Sequence, residues 1–303
     1  MKKLILVLFV FISLAAKSQD SWFYATMTPN YASIYKARLS QYITLTTIQN
    51  EAIDTLFGML QGKIQVGSIT NTSNFLGNGI TRGYNQARFL TMWGNASANS
   101  ICLPPQNYTM TYYNSPTHGS TGVVLDGIND YAVINVNPTV LYSATLGTSM
   151  HYYSQSNLQN TSGCDMGIAN AAVTNAMLLY TGYLNANRTT QYCNPGDINS
   201  VSSTFSSGMF ISNRSFSQGH LRLYGRDAAL ATLSNTSACA PFNTALNGMC
   251  VGGAYLDGTG VIQFSTHTMA YCGYGYAFDS NTDAIQYSKI INWFMTKLGI
   301  NAY

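Results

Sequence analysis

The acidic side chains are the sharpest guide to the chemistry that this chain can perform. Among its 303 residues there is one glutamate, Glu51, and there are 11 − 1 = 10 aspartates. Retaining glycosidases need two carboxyl groups that face each other closely across the scissile bond. Glu51 lies in a predicted N-terminal helix, and the aspartates fall mainly in turns rich in glycine and asparagine. The pattern therefore argues against glycosidase chemistry.

The histidines offer no clearer catalytic arrangement. A polysaccharide lyase would move protons with histidine, tyrosine, arginine and glutamine, but none of the four histidines stands in a motif of that kind. A Ser-His-Asp hydrolase is disfavoured because the chain lacks a Gly-x-Ser-x-Gly elbow. The sequence predicts no catalytic residue, so a lyase or hydrolase ranks only as a second alternative. The histidines are His118, His151, His220 and His267.

Tyrosine is the dominant aromatic residue, with 22 tyrosines against 3 tryptophans. Its flat apolar ring and its hydroxyl suit both stacking on sugars and contacts with proteins. Tyr271, Tyr274 and Tyr276 lie together in a glycine-rich segment, where Gly273 and Gly275 ease an irregular backbone. We predict that these three tyrosines form an exposed ligand-binding platform. The alternative is that they cover an edge of the fold and bind nothing.

Two aspartates are weak candidates for a metal site. Asp126 and Asp130 flank the turn Asp-Gly-Ile-Asn-Asp, and calcium binds carboxylate and carbonyl oxygens. The alternative is that they only stabilise the turn, because aspartate readily bonds nearby backbone groups. No cofactor is predicted beyond this calcium hypothesis.

The chain contains an even number of cysteines, and no pair has the Cys-x-x-Cys spacing of a zinc or thioredoxin-like site. In an exported protein they favour disulfides, with fifteen possible pairings of six residues. We predict at least two intrachain disulfides, and the alternative is a set of free buried thiols. The disulfide candidates are Cys102, Cys164, Cys193, Cys239, Cys250 and Cys272.

The first residues have the pattern of a secretory signal peptide. Met-Lys-Lys precedes the apolar run 4–14, and Ala16 and Ser18 fit the small-residue cleavage positions,. The run is too short to span a bilayer comfortably. We therefore expect cleavage after Ser18, a mature chain that begins at Gln19, and a secreted or cell-surface protein without a membrane span.

The predicted cleavage changes the charge of the chain. Lys2, Lys3 and Lys17 leave with the leader, so 14 − 3 = 11 basic residues remain against 11 acidic residues. Nucleic-acid binding needs a basic field, and a mature chain of zero formal charge lacks one. Nucleic acid is therefore not an expected partner.

Two helices are predicted before the glycine- and asparagine-rich part of the chain. In the first, Ile34, Ala37, Arg38 and Tyr42 show the spacing of one helix face. The second begins with the capping box Thr46-Thr-Ile-Gln49. Its apolar stripe is predicted to contain Ile48, Ala52, Leu56, Phe57 and Leu60,.

From about Ile64 onward, short apolar runs alternate with turn residues, as in an all-β sandwich. The clearest example is 121–138, where the apolar run 123–125, the turn 126–130 and the run 131–136 predict a strand, a tight turn and a strand. Tyr112-Tyr113 is expected to alternate between core and surface. A closing helix is predicted to begin at Asn281 or Thr282 and to end at Gly299.

The segment Gly-Val-Val-Leu-Asp-Gly-Ile-Asn-Asp-Tyr-Ala-Val-Ile, residues 122–134, resembles the early strands of the concanavalin A-like lectin/glucanase superfamily, which has a laminin-G-like jelly roll. The resemblance continues through Asn213-Arg214, Leu221–Gly225, Val251–Ala254 and the closing helix, and it extends to the bacterial surface and phage-type branch. It implies a jelly-roll fold. It also implies paired strand glutamates in the glucanase branch, and the predicted sandwich contains none.

Together these features predict a mainly β protein, an antiparallel jelly-roll β-sandwich with an N-terminal helical pair and a C-terminal helix. The predicted segments are a signal peptide (1–18), a helical segment (19–63) and the sandwich (64–303). The favoured function is a secreted, non-catalytic module that binds glycan or a cell-surface protein in adhesion or recognition. The first alternative is a self-assembling structural protein of a surface filament or virion.

Overall fold

The computed structural model describes residues 30–70, 73–76, 86–137, 147–158, 162–170, 176–183, 187–192, 198–202, 205–215, 220–234, 248–278 and 280–302. The helices within these ranges are α1 (Tyr31–Leu39), α2 (Thr47–Leu60), α3 (Ala96–Asn99) and α4 (Asn281–Lys297). The strands are β1 (Gln86–Leu90), β2 (Met110–Tyr113), β3 (Thr117–Gly119), β4 (Gly122–Val124), β5 (Tyr131–Ile134), β6 (Thr148–Ser154), β7 (Met166–Ala169), β8 (Ala176–Tyr183), β9 (Asn187–Tyr192), β10 (Ile198–Ser202), β11 (Gly208–Ser215), β12 (His220–Gly225), β13 (Ala228–Ser234), β14 (Met249–Val251), β15 (Ala254–Leu256), β16 (Gly260–Ile262) and β17 (Thr268–Gly275).

The strands form two sheets. Sheet 1 has the order β13-β12-β11-β6-β17-β4-β3, and β1 also pairs with β17. Sheet 2 has the order β10-β9-β8-β7-β14-β5-β2, and the β15–β16 hairpin joins it through β7. All pairings are antiparallel among the described strands except that of β15 with β7. The predicted mainly β sandwich with an N-terminal helical pair and a C-terminal helix is confirmed.

Two large apolar clusters divide the molecule into three layers. One cluster lies between the sheets and joins side chains such as Phe89 and Tyr274 of sheet 1 to Ile134 and Met177 of sheet 2. The other joins the buried faces of α1, α2 and α4 to the opposite side of sheet 1. The helices therefore cover the outer face of sheet 1 over its middle strands, and these strands are buried on both sides.

The buried face of α1 differs from the predicted one. Tyr31, Tyr35 and Leu39 are buried, whereas Ile34 and Tyr42 are 39% and 48% exposed. Residues spaced by four lie on one helix face, and this stripe carries the larger apolar surface. Tyr35 packs against the rings of Phe57 and Trp93 and accepts a hydrogen bond from Trp93 Nε1 at 3.1 Å.

The other helix signals are largely confirmed. The predicted capping box of α2 is present, because Thr46 Oγ1 accepts the Gln49 N–H and Gln49 Oε1 accepts the Thr46 N–H. Within the predicted stripe of α2, Ile48 is the exception and is 57% exposed. The N-cap of α4 is Ser280 rather than the predicted Asn281 or Thr282. No helix in the described ranges is long and apolar enough to cross a membrane.

The segment 121–138 contains the predicted strand, turn and strand, but the two strands do not pair with each other. β4 joins β3 and β17 of sheet 1, whereas β5 joins β2 and β14 of sheet 2. The turn 126–130 is therefore a corner at which the chain passes from one sheet to the other.

The cysteine prediction is wrong for the part of the chain that the structure describes. Cys102, Cys164, Cys250 and Cys272 are free and buried, and Cys193 and Cys239 lie outside the described residues. Cys102 and Cys272 both pair with Phe89, from opposite sides. Two strand spacings of about 4.8 Å separate such residues, which exceeds the Cα separation of about 7 Å that a disulfide tolerates.

These thiols are expected to be inert in the folded protein. Burial raises the pKa of all four, that of Cys102 to about 11, and only the thiolate is a good nucleophile. We predict that a thiol reagent at neutral pH leaves them unmodified in the native protein, and that at least four thiols react in denaturant without reductant. Fewer than four reactive thiols after denaturation would contradict the structure.

Asn213 provides a second test of the fold, because it fastens the segment after β17 to β11. Its Oδ1 accepts the Phe278 N–H at 2.7 Å, and its Nδ2 donates to the Phe278 carbonyl at 3.2 Å. In Asn213→Ala, the N–H and the carbonyl group of Phe278 both lose their hydrogen-bond partner. We predict that the free energy of unfolding falls by about 2–4 kcal/mol, since each buried polar group left unsatisfied costs about 1–3 kcal/mol.

Chemical denaturation measures this effect. Asn129→Ala is the matched control, because Asn129 is exposed and its hydrogen bonds use the backbone alone. The control is expected to change the free energy by less than about 0.5 kcal/mol. Equal destabilisation by both substitutions would show that the Asn213 amide does not hold this segment.

Candidate functional site

The predicted tyrosine platform is not an exposed loop. Tyr271 and Tyr274 belong to β17, which lies inside sheet 1, and both are fully buried. Tyr271 faces the helix layer and Tyr274 the space between the sheets, whereas Tyr276 is half-buried after the strand. The prediction is therefore wrong for Tyr271 and Tyr274, because alternate strand positions here face two apolar layers rather than solvent.

Gly273 does not form a loop; it lets the side chains of Tyr271 and His151 approach the backbone of this strand closely. A Cβ on it would lie 2.9 Å from the hydroxyl of Tyr271 and 3.0 Å from Nδ1 of His151. The glycine spacing that suggested an irregular backbone thus reflects tight packing against neighbouring side chains.

The Asp126 turn is stabilised by its own carboxylate. Asp126 Oδ1 accepts the backbone N–H groups of Ile128, Asn129 and Asp130 at 2.8, 3.0 and 3.0 Å, and these bonds lower the pKa of Asp126. Burial and the charge of Asp126 raise the pKa of Asp130. No cluster of three or more potential metal ligands occurs in the described ranges. This geometry agrees with the alternative that these aspartates stabilise the turn rather than bind a metal ion.

Beside this turn, part of the outer face of sheet 2 is open to solvent. On β2, Thr111 and Tyr113 point outward, and on β5 Tyr131 and Val133 do so, whereas Met110, Ala132 and Ile134 are buried. This alternation follows from the period of two along a strand. The helix layer covers the corresponding face of sheet 1, so an exposed sheet surface is found at β2 and β5.

Three aromatic rings form a row on this surface, which we call the Tyr113 strip: Tyr113, Tyr131 and Phe264. Tyr113 and Tyr131 are register partners, and their rings stack with centroids 4.7 Å apart and planes 8° from parallel. The ring of Phe264 lies 6.2 Å from that of Tyr131 and is tilted by 42°. Tyr113 is 40% exposed, and Tyr131 and Phe264 are partly exposed.

The backbone around the Tyr113 strip is held in place by hydrogen bonds. Asn114 Nδ2 donates to the Asn129 carbonyl at 2.7 Å and ties the end of β2 to the Asp126 turn. On the same surface, Asn135 Nδ2 donates to the hydroxyls of Thr109 and Thr111 at 3.0 and 2.8 Å. A ligand that binds here meets a preformed surface, which reduces the ordering cost of association.

The hydroxyl group of Tyr131 in the Tyr113 strip is neutral at neutral pH. Burial, together with the nearby Cys250 and Tyr113, raises the pKa of Tyr131. Tyr131 therefore keeps its proton at neutral pH and can donate a hydrogen bond. The strip thus combines flat apolar faces with phenol donors, and hydroxyl and amide groups lie next to it.

The sequence predicts the two strands of this surface but not the contact between their aromatic rings and Phe264. The alternation Thr109-x-Thr111-x-Tyr113 and the matching Tyr131-x-Val133-x-Asn135 indicate two half-buried strands,, and Tyr112-Tyr113 was expected to alternate in this way. No local pattern places Phe264 beside Tyr131, because that contact joins residues more than 130 positions apart.

Comparisons with known proteins give partial structural matches at low sequence identity. The CBM40 module of the Ruminococcus gnavus IT-sialidase, bound to alpha2,3 sialyllactose, matches with a TM-score of 0.35 and 13% identity over 46% of this chain and 80% of that chain. Domain 4 of AbnA, a GH43 extracellular arabinanase from Geobacillus stearothermophilus, in complex with arabinotriose, matches with a TM-score of 0.36 and 15% identity over 67% of this chain and 98% of that chain. Trypanosoma rangeli sialidase in complex with sialic acid matches with a TM-score of 0.44 and 12% identity over 84% of this chain and 39% of that chain.

No protein-family profile matches this chain. No curated protein matches it either.

Asp165, Ser265 and His267 form a buried cluster that no sequence motif indicates, because about 100 residues separate the aspartate from the other two. His267 Nδ1 lies 2.8 Å from Asp165 Oδ1, and Ser265 Oγ donates to the same oxygen at 2.7 Å. The second carboxylate oxygen accepts the Thr181 N–H at 2.7 Å, and His267 Nε2 donates to the Leu158 carbonyl at 3.1 Å. The cluster ties four parts of the chain together: residue 158, residue 165, β8 and the segment before β17.

This cluster differs from a hydrolytic triad in its geometry. In a triad the serine bonds to the histidine nitrogen opposite the aspartate, whereas here Nε2 of His267 faces a backbone carbonyl. Ser265, Asp165 and His267 are all fully buried. The cluster therefore presents no nucleophile to solvent, and its geometry is that of a buried ion pair with its hydrogen bonds satisfied.

The ion pair makes stability depend on pH. Burial alone disfavours both charges, but each partner's charge and hydrogen bonds prevail, so the pKa of Asp165 is lowered and the pKa of His267 is raised above 6.5. The His267 contribution is complete below its unfolded pKa of about 6.5. It is lost as pH rises through the higher folded value, while the Asp165 contribution is lost only in acid.

We predict that His267→Gln destabilises the protein most near pH 5–6, and that the difference in melting temperature from wild type shrinks as pH rises above about 6.5. His220→Gln, in β12, is the matched control for replacing a histidine by glutamine outside this ion pair. Thermal unfolding between pH 5 and 9 measures both. A difference independent of pH would mean that the His267 charge does not stabilise the fold.

Proposed function

We propose that this chain is a secreted, non-catalytic β-sandwich module that binds glycan on the outer face of sheet 2, with the Tyr113 strip as its platform. The observation that carries the proposal is the pair of nearly parallel, partly exposed rings of Tyr113 and Tyr131 on a rigid sheet surface. Amphipathic tyrosine rings suit contact with sugars, because the ring face packs on C–H groups while the hydroxyl bonds.

The polar groups beside the rings fit the same ligand class. Thr109, Thr111 and Asn135 supply hydroxyl and amide groups on the same exposed surface. A sugar presents apolar ring faces and many hydroxyl groups, so aromatic and neutral polar side chains complement it together. Neither β2 nor β5 contributes a charged side chain to the surface, which suits a neutral sugar unit at this position.

Export is part of the proposal. The lysines, the apolar run and the Ala16–Ser18 site at the start of the sequence support a cleaved leader,. The motif at residues 122–134 supports a relationship to concanavalin A-like lectins, in which the Asp126 corner would link the two sheets of a jelly roll. Adhesion to or recognition of a cell surface follows as the proposed role.

The test replaces the two stacked rings. Wild-type protein is first screened on a glycan array, and the affinity for the best ligand is then measured by calorimetry. We predict that Tyr113→Ala with Tyr131→Ala weakens binding at least tenfold, equivalent to about 1.4 kcal/mol. The melting temperature is expected to change little, because both rings lie at the surface.

Tyr113→Phe is the matched control. It keeps the ring stack and removes one hydroxyl, so affinity is expected to stay within about threefold of wild type, less than 1 kcal/mol. The proposal fails if the wild-type protein binds no glycan on the array or if the double variant binds as tightly as wild type.

A further inference from the structure

A concave site lies at the other end of β2 from Tyr113. A cavity of about 380 Å³ opens between α1 and the segment that joins α3 to β2. Small-molecule sites typically have volumes of about 300–1,000 Å³. We call this cavity the Arg38 pocket, and the residues that matter for its chemistry are Arg38, Tyr42, Ser97, Asn107, Tyr108 and Thr109.

Arg38 gives the pocket a fixed positive charge. Its Nη1 donates to the carbonyl oxygen of Gln106 at 3.1 Å and lies 3.5 Å from that of Cys102. These contacts fasten the guanidinium between α1 and the loop before β2. The long side chain is thus ordered before any ligand arrives, and less entropy is lost when it binds.

The charge of Arg38 is not neutralised within the described part of the chain. No carboxylate there lies within ion-pair distance of it, whereas its neighbour Lys36 pairs with Asp54 at 2.7 Å. The pocket lining contains no aspartate or glutamate, and Arg38 is its one charged residue. A partly buried guanidinium in a neutral polar cavity favours an anionic ligand.

A carboxylate matches this charge better than a phosphate does. A phosphate monoester carries about −1.5 to −2 charges at neutral pH, whereas the pocket lining supplies a single positive charge. The fork of N–H groups on a guanidinium also fits the planar geometry of a carboxylate. The tyrosine, serine, threonine and asparagine side chains around Arg38 suit the hydroxyl groups of a sugar that carries the carboxylate.

The pocket and the Tyr113 strip are joined by one strand. Thr109 lines the pocket, and Thr111 and Tyr113 follow at alternate positions on the exposed side of the chain. Four residues of extended strand span about 13 Å. The Asn135 amide bridges the hydroxyls of Thr109 and Thr111 along this path, so one extended ligand can contact both ends.

We propose that the Arg38 pocket binds the carboxylate of a hexuronic acid unit in the same glycan that stacks on the Tyr113 strip. The inference rests on the function proposed for the Tyr113 strip, and it adds the ligand class. The ligand is an acidic oligosaccharide in which a uronate unit lies about 13 Å from the sugar that stacks on the strip.

The test compares acidic probes with neutral counterparts. Oligosaccharides of galacturonate, glucuronate and mannuronate are titrated by calorimetry beside the same compounds after reduction of their carboxyl groups. Wild-type protein is expected to bind at least one acidic probe ten or more times more tightly than its reduced form. Arg38→Gln is expected to remove this preference, so that the acidic and the reduced forms bind with similar affinity.

Three further variants keep the test decisive. Lys297→Gln removes the same charge at the exposed end of α4 and is expected to keep the preference. Arg38→Lys retains the charge without the fork and should keep only part of it. Asn107→Asp adds a negative charge to the pocket lining and leaves the bonds of Arg38 in place, so it is expected to weaken acidic binding even if Arg38→Gln unfolds.

The results separate this inference from the proposal on which it rests. Equal affinity of wild-type protein for acidic and reduced probes, with binding lost in the Tyr113→Ala and Tyr131→Ala double variant, overturns the pocket and leaves the strip. Unchanged acidic binding in Arg38→Gln and Asn107→Asp also overturns the pocket. Acidic binding that requires Arg38 but not the two tyrosines supports the pocket and overturns the strip.

Discussion

The architecture depends on the burial of the Arg88 guanidinium beneath the helix layer. Arg88 is 1% exposed, and its N–H groups donate to Gln86 Oε1 at 2.8 and 2.6 Å and to the Phe75 carbonyl at 3.0 Å. Its guanidinium carbon lies 5.3 Å from the centroid of the Tyr287 ring. A buried charge is tolerated only when it is well bonded, so these contacts fix β1, residue 75 and α4 relative to one another.

The groups around Arg88 are adapted to this buried charge. Tyr287 shares a hydrogen bond with Tyr271 of β17, and His151 of β6 lies beside both rings. Burial, with the charge of Arg88 as a second cause, lowers the pKa of His151, which is therefore neutral. The polar layer thus joins the middle strands of sheet 1 to the C-terminal helix with a single permanent charge at its centre.

The middle strands of sheet 1 are covered in this way, whereas β2 and β5 of sheet 2 keep an exposed face. Tyr271 and Tyr274 of β17 are buried in apolar layers, whereas Tyr113 of β2 and Tyr131 of β5 remain at the surface. Only 8% of the residues are charged, and these few charges lie in distinct parts of the fold. Arg88, Arg214 and the Asp165–His267 pair are buried in the interior, whereas Arg38 lies at a cavity wall with neutral polar groups around it.

The sequence by itself determined the features that depend on neighbouring residues. The capping box of α2, the closing helix α4 and the Asp126 turn are set by hydrogen bonds and side-chain spacing within a few positions, and all are present. The β-sandwich class follows as well, since alternating runs between turn residues indicate strands whatever their partners.

Only the tertiary structure decided which sheet each strand joins and which face is buried. β4 and β5 are separated by a short turn and enter different sheets, and β17 pairs with β1, β4 and β6 from distant parts of the chain. Strand pairing is a long-range choice, and a local pattern does not specify the partner. For that reason the sequence suggested an exposed platform at Tyr271 and Tyr274, which are buried. Tyr113, Tyr131 and Phe264 come together as a row of rings only in the folded chain.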